Sequence, residues 1–188
     1  MRLFTCVRQI IAALLVAAAM PHGQAPAKPA KNPDAIVLLD FKERVDKYVQ
    51  LRKKADATAP PLKKTDDAAE LRTAQQALAE RIGAARTPAR QGDIFTPEIT
   101  ARFRALLHPE VKDRGTKAAI RDDNPGNILF KVNGPYPSKE PLSTVPPNVL
   151  ESLPPLPKDI EYRFVNKHLI LRDARANLVI DYIPNAIS

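Results

Sequence analysis

Eight of the 25 residues from 133 to 157 are proline. No regular strand or long helix survives that density, because each proline fixes φ and removes a backbone donor. The segment therefore divides the chain into a part that repeats apolar side chains at helical spacing and a part dense in β-formers. The fold class expected is α+β: two to three N-terminal helices and a small C-terminal antiparallel β-meander, joined by a proline-rich strap. Within the strap, VLESL at 149–153 can make one turn of helix after Pro146-Pro147.

Before the strap, DAIVLLDFKERVDKYVQLRKKADA at 34–57 places Leu38, Phe41, Val45 and Tyr48 on one stripe by steps of three and four. Asp34 is the expected N-cap or first-turn acid, and Arg52, Lys53 and Lys54 sit where the helix dipole favours cations. Asp40 with Arg44, and Glu43 with Lys47, are acid-before-base pairs at i, i+4. A break at Pro60-Pro61 precedes a second helix from Thr65 or Asp66, with Leu71, Ala74, Leu78, Ile82 and Ala85 on its stripe. The two helices are expected to form an antiparallel hairpin. A third begins at Thr96-Pro97-Glu98, a cap, a proline at the first position and a first-turn acid. Ile99, Phe103, Leu106 and Leu107 form its apolar side, and Pro109 marks its end or a kink.

Beyond Gly115 the character changes. Asn124-Pro125-Gly126 has type II turn composition, and ILFKV at 128–132 reads as a short strand. In the tail, a two-residue turn at Asn166-Lys167 makes partner numbers sum to 333, so Phe164 faces Leu169, Tyr162 faces Leu171 and Glu161 faces Arg172. The opposite face, with Val165, His168, Arg163 and Ile170, is mixed and solvent-tolerant. A four-residue loop at Asp173 to Ala176 would then set Leu171 against Leu178, Leu169 against Ile180 and His168 against Asp181. One apolar face, Tyr162, Phe164, Leu169, Leu171, Leu178, Ile180 and Tyr182, results. A lone hairpin is marginal in water, so this face needs cover from the helices and the strap. The helical region 34–121 and the segment 122–188 are accordingly expected to pack as one domain.

The closing segment LPPLPKDIEYRFVNKHLILRDARANLVIDYIPNAI resembles the C-terminal segment of uncharacterised secreted bacterial proteins. It is also similar to the C-terminal hairpin of small periplasmic proteins linked to nickel and cobalt homeostasis. Glycine is more typical of that hairpin where this chain has Lys167. The resemblance covers about 35 of the 188 residues; it implies an envelope location and brings no catalytic or ligand residue with it.

The first residues point the same way. Arg2 and Arg8 precede eleven apolar residues from Ile10 to Met20 and then small ones, the build of a secretory signal peptide at 1–27, cleaved after Ala27. A spanning helix needs about 20 apolar residues, so no stable transmembrane anchor is expected. KPAKNP at 28–33 follows as a disordered leader. The expected location is periplasmic or secreted. The single cysteine, Cys6, lies in the expected signal peptide, so the mature chain has no thiolate chemistry and must be held by packing.

Losing Arg2 and Arg8 takes the net charge from +8 to +6. Residues 28–121 hold all the surplus, with 20 basic and 13 acidic residues, against 7 and 8 in residues 122–188. Outside the cytoplasm nucleic acid is not the expected partner; an anionic envelope surface or another envelope protein is, through the basic helical surface or an edge strand. The same surplus also serves solubility.

Catalytic and cofactor chemistry finds little to work with. The mature chain keeps two histidines, His108 at a helix end and His168 in a strand, and two opposed sheet residues lack a third metal ligand. Ser138, Ser143 and Ser152 lie in or beside the strap with no G-x-S-x-G or S-x-x-K arrangement, and no glycine-rich phosphate loop exists. Asp122-Asp123, Asp66-Asp67 and Glu161 are carboxylates that turns, a helix start and Arg172 already employ. No catalytic, cofactor or metal residue is assigned. The function expected is a non-enzymatic binding or accessory role at the bacterial envelope, with a small hydrolase or glycan-acting enzyme as the alternative.

Overall fold

Asn32 opens the first helix by accepting the Asp34 N–H at 3.0 Å. Asp34 is thus a first-turn acid, and the cap lies two residues earlier. The computed structural model describes residues 32–58, 66–137 and 139–187. The expected signal peptide, the leader up to residue 31, the break at Pro60-Pro61 and Ser138 lie outside them. The fold is α+β: α1 (Pro33–Ala57), α2 (Ala68–Ala85), α3 (Pro97–Glu110), α4 (Arg114–Asp122) and α5 (Pro147–Ser152) precede β1 (Ile160–Val165), β2 (His168–Asp173) and β3 (Leu178–Ile183). The strands form one antiparallel sheet in the order β1-β2-β3.

α1 buries Phe41, Val45 and Tyr48 as their spacing predicts, and half-buries Leu38. The Asp40–Arg44 pair forms at 3.0 Å. Glu43 and Lys47 make no ion pair among the described residues; Lys42 and Asp46 do, at 2.6 Å. α2, capped by Asp67, buries Leu78 and Ile82 but leaves Leu71 and Ala85 exposed, so only its middle and last turns meet the core. α3 starts at the expected Thr96 cap and buries Ile99, Phe103 and Leu107, with Pro109 in its last turn. Phe103 is the meeting point of three elements. Its ring lies 4.8 Å from Phe41 of α1, 5.1 Å from Phe95 of the preceding loop and 6.0 Å from Tyr162 of β1, centroid to centroid.

The change of character beyond Gly115 does not end the helices. α4 runs through Gly115, because the Asp113 carboxylate accepts the Thr116 N–H at 3.0 Å and hydroxyl at 3.1 Å, and Thr116 and Ile120 face inward. The strand expected at 128–132 does not form. Ile128 and Phe130 lie half-buried against the sheet, and Leu129 is 95% exposed. Pairing occurs just downstream, where Asn133 N–H donates to Val179 O and Val179 N–H to Gly134 O, each at 2.9 Å, and Tyr136 N–H donates to Asn177 O at 3.1 Å. Gly134 is required there: a Cβ would sit 3.0 Å from the Lys131 carbonyl oxygen. Pro135 and Pro137 then stop the pairing from growing into a strand.

The β1–β2 register is the expected one, with Phe164 opposite Leu169, Tyr162 opposite Leu171 and Glu161 opposite Arg172. Lys167 is tolerated in the turn because only Asn166 takes positive φ, +53°, the sign pattern of a type II′ turn. The β2–β3 register differs from expectation. Asp173 pairs with Leu178 and Arg172 with Val179, but Leu171 pairs with Asp181, so Ile180 is an extra residue on β3. His168 therefore does not face Asp181. The loop starts one residue later than expected, at Ala174, and Asn177 closes it at φ +47°. The bulge puts Ile180 and Asp181 both toward the helices and swings Tyr182 to the outer face. The inner face becomes Ile160, Tyr162, Phe164, Leu169, Leu171, Leu178, Ile180 and Ile183, all in one cluster with the helical side chains.

The outer face is also covered, contrary to the solvent-tolerant face expected. Val165, Ile170 and Val179 are buried there under Tyr136, with Ile128, Phe130 and Tyr182 at the margin. Burial on both faces explains why LILRD and LVID read as continuous runs without alternation.

Two buried carboxylates tie this sheet to the rest. Asp181 accepts the backbone N–H groups of Gly92 at 2.9 Å and of Ile94, Phe95 and Tyr182 at 2.8 Å each. Burial pushes its pKa above the usual carboxylate range, and the four donors pull the other way. Asp173 accepts the Tyr48 hydroxyl at 2.8 Å, Arg52 Nη1 at 3.3 Å and the N–H groups of Arg175 and Ala176 at 2.9 and 3.1 Å. Burial and this carboxylate hold the Tyr48 phenol far above its usual range. Arg86 lies 5.2 Å over the Tyr48 ring and donates to Asn133 Oδ1 and the Ile180 carbonyl.

Phe103→Ala is expected to cost about 3–5 kcal/mol in urea unfolding, whereas Leu129→Ser should stay within about 0.5 kcal/mol. Asp181→Ala leaves three loop N–H groups without their acceptor, and the same measurement should show a loss of about 3 kcal/mol or more.

Candidate functional site

The carboxylates, hydroxyls and imidazoles considered from sequence are scattered, and several are engaged. His108 is exposed in the last turn of α3. His168 accepts the Asn185 N–H on Nδ1 at 3.2 Å and lies edge-on to Phe130 and Tyr182. The Ser143 hydroxyl is fully buried, donating to Phe164 O at 2.5 Å and accepting from Phe164 N at 3.0 Å. Ser152 donates to Val149 O. Asp67 caps α2, Asp66 is exposed beside it, and Asp122 and Asp123 sit at the end of α4. Glu161 pairs with Arg163 at 2.6 Å and with Arg172. Among the described residues no three His, Cys, Asp or Glu side chains come together as metal ligands.

What the fold does bring together is a set of cations. A groove of about 570 Å³ is lined by Arg114, Lys117 and Arg121 of α4, by Lys167 of the β1–β2 turn, by Asn124, Gly126 and Asn166, and by Ala118, Ile120 and Ile187. Four charged side chains line it and every one is positive. Arg114, Lys117 and Arg121 are spaced by three and four, which aligns them on one side of the helix. Arg114, Lys117 and Lys167 make no ion pair among the described residues; Arg121 shares a surface pair with Asp122 at 3.2 Å, of the exposed kind that contributes little.

The wall facing α4 is fixed by amide side chains. Asn124 Nδ2 donates to Asn166 O at 2.8 Å, and its Oδ1 accepts from Asn166 N at 2.7 Å and from Gly126 N at 3.0 Å. Asn166 Nδ2 donates to Asn127 Oδ1 at 2.5 Å. These bonds clamp the expected Asn124-Pro125-Gly126 turn, with Gly126 at φ +77°, onto the tip of the hairpin. The Ile187 N–H reaches Lys167 O at 3.3 Å, so the segment after β3 closes one side. α4 itself is held from behind, since Asn148 of α5 donates to Thr116 Oγ1 at 3.0 Å and Glu110 Oε2 at 2.7 Å. Hydrogen bonding from Thr116 keeps the Asp113 carboxyl at the head of α4 below its usual range.

A second depression, between α1 and α2, mixes Asp46 with Lys47, Lys54 and Arg81 and so carries no single sign of charge. Of the two, the α4 groove alone is lined by charges of one sign. Compared with protein-family models, with curated proteins and with solved structures, the chain matches none of them.

Of the sheet edges expected as a possible recruiting surface, that of β3 is occupied and that of β1 is occupied in part. Val179 on β3 has both main-chain groups paired with residues 133 and 134, and Arg86 and Gln91 take the Ile180 and Tyr182 carbonyls. On β1 the Ser143 hydroxyl takes both main-chain groups of Phe164. No helix of the described residues is long and apolar enough to cross a membrane.

The groove was not legible beforehand, because α4 was not. Its one usable signal is Asp113 as a cap followed by cations at 114, 117 and 121; with Ile120 its only large apolar residue, no apolar stripe announces it. Lys167 joins the set only through the hairpin register.

The best-resolved electrostatic dependence lies on the sheet. Burial opposes ionisation of Glu161, but the hydrogen bonds and charges of Arg163 and Arg172 outweigh it and hold its carboxyl below the usual range. A depressed folded pKa means stability present above the unfolded value and lost as pH falls through the folded one. The stability difference between wild type and Glu161→Gln should be about 1 kcal/mol above about pH 5 and shrink toward zero below about pH 4, measured by urea unfolding across pH.

Proposed function

We propose that the chain is a non-enzymatic accessory protein of the bacterial envelope, exported by its first 27 residues, that binds anionic envelope material through the α4 groove. The observation that carries this reading is a preformed groove with four cationic side chains and no carboxylate among its lining residues. Such a surface attracts polyanions and raises their local concentration. The basic surplus of residues 28–121 reaches its C-terminal end in α4, and the likeness of the closing hairpin to secreted bacterial proteins supports the location. The occupied edge of β3, and the Ser143 hydroxyl on that of β1, favour the groove over recruitment of a partner peptide by strand addition. A binding role is also favoured over catalysis by the prior engagement of Ser143, Ser152 and Glu161.

Co-sedimentation of the mature chain with isolated envelope material tests this. Retention at low ionic strength should fall about tenfold as salt rises to about 0.5 M, where screening shortens the reach of each charge. Lys117→Glu combined with Lys167→Glu should abolish retention at any salt, and unchanged retention would remove the groove from the account.

A further inference from the structure

We infer that the ligand of the α4 groove is a linear polyanion of the phosphate-chain type, lying along the axis of α4; this rests on the groove being the binding surface. Arg114 and Arg121, with Lys117 between them, lie seven residue steps apart on one helix, an axial distance of about 10 Å at the helical rise. A single small anion touches one or two of these groups. A chain with a charge at each unit touches all three, and Lys167 meets it from the opposite wall. The Arg114 guanidinium can take two oxygens of a phosphate, Arg121 can do so on the edge its exposed pair with Asp122 leaves or by exchanging that pair, and the two lysines act as point charges.

Concavity argues against a flat anionic surface as the natural occupant. The floor includes Ile120, which is 2% exposed, and the far wall is the clamped turn at Asn124 and Asn166, so an occupant must enter between helix and hairpin. The charged groups lining the groove are all donors. Asn124, the amide with both ends in reach of the wall, already spends its Nδ2 on Asn166 O and its Oδ1 on two N–H groups. A phosphate chain offers acceptors only and fits that lining, whereas a hydroxyl-rich glycan brings donors that the charged groups cannot satisfy. Because the wall is held by hydrogen bonds within the protein, its backbone needs little ordering on binding, and the cost falls on the four exposed cationic side chains.

The test uses inorganic polyphosphate as the probe, with the mature chain and calorimetric titration. Polyphosphate should bind, and orthophosphate at equal total phosphate should compete about a hundredfold more weakly or not at all. The double substitution Lys117→Glu, Lys167→Glu should weaken polyphosphate binding at least about tenfold, while Lys53→Glu with Lys54→Glu on α1, the same change in net charge, should leave it within about twofold. All four lysines are exposed or at the surface of described elements, and unfolding curves check that each variant remains folded. Absence of polyphosphate binding overturns the inference, as does competition by orthophosphate on an equal per-phosphate basis or equal weakening by the α1 pair. Vesicles containing phosphatidylglycerol separate the two claims. If they bind, lose binding in the groove variant and polyphosphate does not bind, the groove stands and the chain-like ligand falls. If neither vesicles nor envelope material responds to the groove variant, both fall.

Discussion

The structure depends on a carboxylate that a bulge turns inward. Without the extra residue Ile180 on β3, Asp181 would not point toward the helices. With it, one side chain satisfies the N–H groups of Gly92, Ile94 and Phe95 and fixes the loop that leads into α3. Phe95 is thereby set against Phe41 and Phe103, and Thr96 is delivered to its capping position. Asp173 does the corresponding work for α1, through Tyr48 and Arg52. An unpaired buried carboxylate would be costly; here each is surrounded by donors from another part of the chain. The sheet thus positions the helices by polar anchors as well as by apolar contact.

How much of this could be read from sequence follows from how local each determinant is. α1 and α3 were legible because caps, dipole-compatible charges and apolar steps of three and four all agree within a few residues. The β1–β2 register was legible because alternation on both strands and a short turn leave one consistent pairing. The β2–β3 register was not, since it is set by Asp181 reaching a loop 86–89 residues away in sequence, and no strand pattern contains that information. The covered outer face was missed for a related reason. Val165, Ile170 and Val179 look like the tolerable residues of a mixed face until the segment at 128–136 is seen lying over them.

The candidate groove illustrates the same limit from the side of function. Its cations come from positions 114, 117, 121 and 167, and none is unusual where it stands. What distinguishes them is that no carboxylate lines the groove once Asp113 has been used as a cap and the hairpin tip has been clamped by Asn124, and that only Arg121 has an ion-pair partner, the exposed Asp122. Charge composition pointed to the half of the chain that contributes α4, but tertiary structure decides which of its twenty basic residues share a concave surface with Lys167.

The proline-rich strap has a further consequence at the borders of the sheet. Three strands rich in valine, isoleucine and leucine would ordinarily template edge-to-edge aggregation. Beside β3 the covering chain presents Pro135 and Pro137, which have no N–H to offer a further strand, and beside β1 it presents Ser143, whose single hydroxyl serves as both donor and acceptor for Phe164. The strap therefore acts as a terminator of hydrogen-bond propagation. Growth of the sheet is thus stopped by residues of the same chain laid along its borders, where many proteins rely on charge.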